Sequence, residues 1–240
     1  MTNSAVQTGT SPAPMNVFAR FIGILTAPRA TYASVVANPK WLGMYLLTAT
    51  LIACGTALPM TTDAGKQAAV DQQVSTMEGF GMTVSDEQYA AIQKGTAIMP
   101  YTTAASVIIF MLLGYLVMAG ILFAIFNAAM GGDASYKQVL TVLVHSSVIG
   151  AVGAIFGGIL NYFRGAVSSP ATLGVLLPML DDKSFFGKLA GMVDVFAIWG
   201  MIVLAIGLAV LYRRKTQPIA ITFLVIAAVI GVSIAYLTSN

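Results

Sequence analysis

Of the 240 residues, 58% are hydrophobic and 9% are charged, where a soluble domain carries about 25% charged residues; a water-soluble globular chain is excluded and an all-α, polytopic membrane bundle is expected. The formal net charge of +3 comes from scattered cations, which read as topology signals rather than a nucleic-acid patch. With one cysteine, Cys54, and one histidine, His145, an intrachain disulfide, a Cys-based metal cluster and most zinc or nucleophile–base sites are ruled out, and no cofactor is expected.

Residues 1–14 are rich in Thr, Ser, Pro and Ala and carry no charged side chain. They suit a disordered tail ahead of a single membrane domain over 15–240, and they lack the basic start and apolar run of a signal peptide. From Met15 to Thr26 a helical period puts Phe18, Phe21, Ile22 and Leu25 on one side and Arg20 elsewhere. This stretch is too short to span; it suits a helix lying in the membrane interface or packed on the bundle. Pro28 opens a second short helix, ended by Asn38-Pro39, with Tyr32, Val35 and Val36 as its buried side. Lys40-Trp41 anchors the first expected span, about 41–59, in which Cys54 acts as a small hydrophobe.

Residues 60–100 are the main polar excursion, with five acids and two bases. The Ser85-Asp86-Glu87-Gln88 capping box and Gly95 predict short helices near 64–79 and 85–94, a small extramembrane cap. The second span, about 103–130, holds Gly114 and a small-residue row of Gly120, Ala124 and Ala128. Gly131-Gly132-Asp133 is a tight turn without the lysine and serine of a phosphate loop. The third span, about 136–162, has the best packing face: Ser146, Gly150, Gly153 and Gly157 form one stripe, widened by Ala154 and Gly158.

A second polar excursion covers 163–189, and its apolar part, Leu173 to Leu180, suits a re-entrant or interfacial segment. The fourth span, about 190–212, has Asp194 near its start and Trp199 five residues later, and stops at Arg213-Arg214-Lys215. Gly200 and Gly207 share a thin face with Phe196 and Val203. Pro218 opens a fifth span, about 219–237. With the N-terminus inside, seven cations fall inside, crowded at span ends, and five fall outside on long loops; the expected topology is N-terminus cytoplasmic and C-terminus outside.

Ionisable residues within spans are functional suspects. His145 lies about seven residues into the third span and Asp194 near the outer start of the fourth, separated in depth by about 15 Å. His145 reads as a hydrogen-bonded packing residue. Asp194 reads as an acid that caps a helix or pairs with Lys188 or Arg164. Their sharper reading is a pair of polar groups along a hydrated path. No catalytic set is arguable.

Three segments, taken in order, carry a family resemblance. They are Pro-Arg-x-Thr-Tyr (28–32) leading to Asn-Pro-Lys-Trp-Leu (38–42), Gly-Gly-Asp-x-Ser-Tyr-Lys-Gln-Val-Leu (131–140), and Asp194-x-Phe-x-x-Trp199 followed by Gly207. Together they resemble the Yip-domain family of membrane proteins, from about Phe18 to Ala235. The resemblance implies a five-span, N-cytoplasmic, all-α protein without known catalytic activity. Eukaryotic relatives contact prenylated Rab GTPases and carry an Asp-Leu-Tyr-Gly-Pro motif ahead of the first span. This chain has no such motif and a short tail, so Rab binding is not expected. The Ala/Gly-rich, Lys-poor composition points to a bacterial cytoplasmic membrane. The expected function is a non-enzymatic membrane scaffold or adaptor that contacts the bilayer and other membrane proteins or copies of itself. The alternative is a subunit of a small-solute or ion transporter or channel, with its path near His145 and Asp194.

Overall fold

The computed structural model describes residues 15–181 and 184–239; the tail expected over 1–14 lies outside them. The described residues are helical, with one isolated backbone bridge, Thr172 to Asp194, and no strand.

Helix α1 (Val17–Thr26) starts at Asn16, whose side chain accepts the Ala19 amide at 2.7 Å. Pro28 opens α2 (Pro28–Ala37). The apolar side of α1 is divided: Phe18 and Ile22 are 66% and 57% exposed, while Phe21 and Leu25 pack on the core and Ile24 beside them is buried. The one cation of this helix, Arg20, is buried too. Its guanidinium donates to the carbonyls of Met15 at 3.2 Å and Asn38 at 3.3 Å, so the charge is held between the start of α1 and the end of α2. A cation at a helix C-terminus is favoured by the unpaired carbonyls there. Burial pulls the Arg20 guanidinium below its usual pKa and, on α2, pushes the Tyr32 phenol up.

Helix α3 (Leu42–Ala57) is followed by a 3-10 turn at Pro59–Thr61, then α4 (Asp63–Gly79) and α5 (Asp86–Lys94). The Ser85–Gln88 capping box forms as its spacing predicts. Helix α6 (Met99–Phe123) continues into a π-helical turn at Ala124–Ala129. Gly131, at φ +68°, turns the chain into α7 (Tyr136–Arg164), which opens with a second capping box, Ser135 with Gln138. Short helices α8 (Leu173–Leu176) and α9 (Phe185–Met192) precede α10 (Val195–Leu211) and α11 (Thr216–Thr238).

Three stretches are long and apolar enough to cross a membrane: Met99–Ala129, α7 and α11. Helices α3 and α10 have 16 and 17 residues, about 24–26 Å of rise against a hydrocarbon core of about 30 Å. The fourth expected span, 190–212, is therefore helical as one piece only from Val195. Val193 and Asp194 are extended because their backbones pair with Ala171 and Leu173: Leu173 N donates to Val193 O at 2.9 Å and Val195 N to Ala171 O at 3.2 Å. Asp194 then restarts the helix.

Helix α7 is the hub, packed against α1, α2, α3, α6 and α10. Two thirds of its apolar window is buried, against 11% for α6 and for α11. Those two long helices flank the bundle and turn most of their surface outward.

Candidate functional site

Close approach of α7 to its neighbours is set by glycines at several depths. A Cβ added at Gly158 would lie 2.2 Å from Gly55 O, and one at Gly55 would lie 2.3 Å from Ala154 O. Here the backbones of α3 and α7 touch. Deeper, Ser147 Oγ donates to Thr48 Oγ1 at 2.9 Å. From Thr48 to Gly55 the first helix follows Ser147 to Gly158 of the second, so the two run parallel. Gly153 meets the Phe196 ring, with 2.8 Å from its virtual Cβ, and Gly207 meets Val142 and Tyr32 at 2.6 and 2.8 Å. These contacts run α10 antiparallel to α7.

Of the other members of the expected seam, Gly150 and Gly200 face space and Gly157 faces a proline ring. A Cβ at Gly150 would meet only Ile52 at 3.9 Å, and one at Gly200 only Ile149 at 3.9 Å; Gly157 faces Pro170 at 3.3 Å. With Gly153 they line a groove of about 600 Å³ between α3, α7 and α10. It runs from Ser146 and Ser147 to a mouth at Asn161, Ser169 and Asp194.

At the mouth Asp194 is the N-cap of α10. Its Oδ1 accepts the amides of Phe196 at 2.8 Å and Ala197 at 3.1 Å, and its Oδ2 accepts from Ser169 Oγ. Asp194 forms no ion pair with Lys188 or Arg164. Replacing Asp194 with Ala should cost about 1–2 kcal/mol, the usual loss for an N-cap, while Asp194→Asn, which keeps the accepting oxygen, should cost a few tenths. Thermal midpoints in detergent check this; equal losses would point to the charge rather than the cap.

His145 does not line the groove. It is 0% exposed, and its Nδ1 bonds Thr141 O at 2.8 Å. Among the described residues Nε2 has no hydrogen-bond partner. The structure thus brings Asp194 to the groove and leaves His145 in the packed core. No cluster of three or more His, Cys, Asp or Glu side chains occurs among the described residues.

The profile of the Yip1 domain matches residues 22–237. The chain belongs to the Yip1 domain family. No curated protein and no solved structure matches it.

In this Yip1-domain protein the expected topology anchors are placed at helix ends. Trp41 is the N-cap residue of α3 and packs edge-on to Tyr45. Trp199 stacks beside Phe196 one turn into α10. Arg213, Arg214 and Lys215 make the turn between α10 and α11; Arg213 has φ +52°, and Arg214 donates from Nη2 to Met130 O at 2.9 Å. Sequence reasoning missed three residues that organise the packing. Arg20 was legible only as a cation off the apolar side of its helix. Gly55 follows Thr48 by seven residues, the spacing of one helix face, and that was the available signal. Tyr212, whose hydroxyl donates to Asn127 Oδ1 at 2.7 Å while its ring covers Gly132 and stacks on Phe126 at 4.8 Å, carried none.

Proposed function

We propose that this protein is a non-enzymatic integral membrane scaffold of a bacterial cytoplasmic membrane. It crosses five times as one domain over 15–240, with the N-terminus in the cytoplasm, and works through contacts of its helices with other membrane proteins or a second copy. The observation that carries this reading is the outward face of α6. Gly114 and Gly120 would each accept a Cβ with nothing within 4 Å, and Val117 beside them is 64% exposed. Inside a bilayer apolar surface alone gives no drive to associate; small residues do, by letting backbones approach. The inner glycines of α7 meet α3 and α10, whereas a Cβ at either of these positions on α6 would meet nothing within 4 Å among the described residues.

Five crossings are supported by the packing directions. Helices α3 and α10 both pack along α7, one parallel and one antiparallel, so each runs through the slab that α7 crosses. The bacterial assignment rests on composition.

The test of the function is disulfide cross-linking in native membranes. Cys54 is exposed and is replaced with Ala; Val117→Cys then reports the α6 face. A cross-linked species is expected, and Gly114→Leu with Gly120→Leu should remove most of it. A chain that stays uncross-linked, or a product unaffected by the leucines, would defeat the proposal.

A transport path near His145 and Asp194 is the second reading, favoured by the groove at Asp194. It is weakened by the burial of His145 and by the end of the groove at Ser146. Cysteine labelling with a charged reagent separates the two and tests topology. Glu87→Cys should label from outside and Asp133→Cys only after permeabilisation, with His145→Cys protected throughout. Labelling at position 145 would move the conclusion to transport.

A further inference from the structure

The glycine groove continues into a second space of different chemistry. At Ser169 it meets a half-open chamber of about 1210 Å³, lined by α4, the end of α7, α8, α9 and the last residues of α11. Arg164 and Lys188 line this chamber and neither forms an ion pair among the described residues. Glu78 lines it from α4.

The groove itself is a slot with almost no side chains on its floor. Along α7 it extends from Ser146 to Asn161, about 22 Å of helix rise, where half of a bilayer core is about 15 Å. Its length therefore suits one extended acyl chain, and its volume lies within the range of ligand sites, about 300–1,000 Å³. The residue at the mouth asks for a specific group. Asn161 is 5% exposed; its amide donates to Ser168 O at 2.9 Å, and its Oδ1 has no partner among the described residues. A buried acceptor left unpaired costs about 1–3 kcal/mol. The neighbouring Ser169 hydroxyl already donates to Asp194, so the missing donor has to come from elsewhere.

We propose that groove and chamber together bind a single-chain glycerophospholipid. Its acyl chain lies along Gly150, Gly153, Gly157 and Gly200, its free glycerol hydroxyl donates to Asn161 Oδ1, and its phosphate lies between Arg164 and Lys188. One slot holds one chain. A diacyl lipid esterifies the hydroxyl that Asn161 needs. Arginine and lysine side chains are the usual partners of a phosphate. Glu78 offers an acceptor to a terminal ammonium, which favours an ethanolamine headgroup. Asp194 does not repel the phosphate strongly, since two helix amides and Ser169 already compensate its charge.

The test uses the full chain, purified in detergent and washed free of lipid, then titrated with oleoyl lysophosphatidylethanolamine and read by native mass spectrometry. One saturable adduct per chain is expected. Gly150→Leu should weaken it at least tenfold by filling the slot, and Arg164→Gln combined with Lys188→Gln should weaken it by about a hundredfold, the loss of two charge-assisted contacts. Gly200→Leu fills the slot from α10 and carries the test should Gly150→Leu fail to fold, as judged by the lipid-free thermal midpoint. Absence of a saturable adduct would overturn the site, as would adducts indifferent to both leucines. Equal affinity for dioleoyl phosphatidylethanolamine would overturn the single-chain assignment.

Discussion

Gly158→Ala should destabilise the protein by about 3 kcal/mol, at the upper end of the usual range for overpacking, and Gly55→Ala should act similarly. At both positions the added methyl meets backbone. From Gly158 it would lie 2.2 Å from Gly55 O and 2.9 Å from Gly55 Cα; from Gly55 it would lie 2.3 Å from Ala154 O. No rotamer change relieves such a contact, so α3 and α7 must move apart. That movement strains the Ser147–Thr48 hydrogen bond next along the same crossing. Gly150→Ala supplies the control on the same helix. Its methyl finds 3.9 Å to Ile52, and the change gains helix propensity of up to about 1 kcal/mol. Unfolding in mixed micelles, followed by helical ellipticity, measures the difference. Equal midpoints for Gly158→Ala and Gly150→Ala would mean that the α3–α7 crossing is looser than its geometry.

The contrast between these glycines also marks the limit of what the sequence disclosed. Spacing put Gly150, Gly153, Gly157 and Gly158 on one face of one helix, because a helical period is a local property. It did not tell which of them meets a backbone, which meets a ring and which borders empty space. That depends on where α3 and α10 cross α7, and crossing points are set by the partner's residues: Gly55 and Phe196 decide them here. Helix starts were legible where caps are local, as at Ser85. The restart at Asp194 was not, since the extended pair Val193–Asp194 is held by Ala171 and Leu173, some twenty residues earlier. Hydropathy ran through this break without a change in sign. The burial of Arg20 was not legible for a similar reason: a buried cation needs carbonyl partners, and Asn38 supplies one only after α2 has folded back. Asp194 was rightly weighed as a cap, because an acid ahead of an apolar run carries that reading in sequence.

Arg20→Ala should detach the N-terminal pair of helices while the bundle around α7 stays folded. The guanidinium is 3% exposed and binds two backbone carbonyls, Met15 O and Asn38 O. Hydrogen bonds from a charged group contribute about 1.5–3 kcal/mol each, and removing the side chain also leaves a cavity beneath α1. A loss of about 3 kcal/mol of local stability should raise amide exchange in α2 by roughly 100-fold, with little change in the middle of α7. Arg20→Lys should restore only part of the protection, because an ammonium does not present the planar fork that serves two separate carbonyls. The consequence reaches the core. Tyr32 on α2 is fully buried, with its ring against Gly207 of α10 and its hydroxyl 3.5 Å from Val142 O of α7. Releasing α2 therefore uncovers Gly207 and Val142 at the end of the bundle that carries Arg213–Lys215. Exchange rates in α2 that match the wild type would show that Tyr32 alone holds this helix in place and that Arg20 is accommodated there without anchoring it.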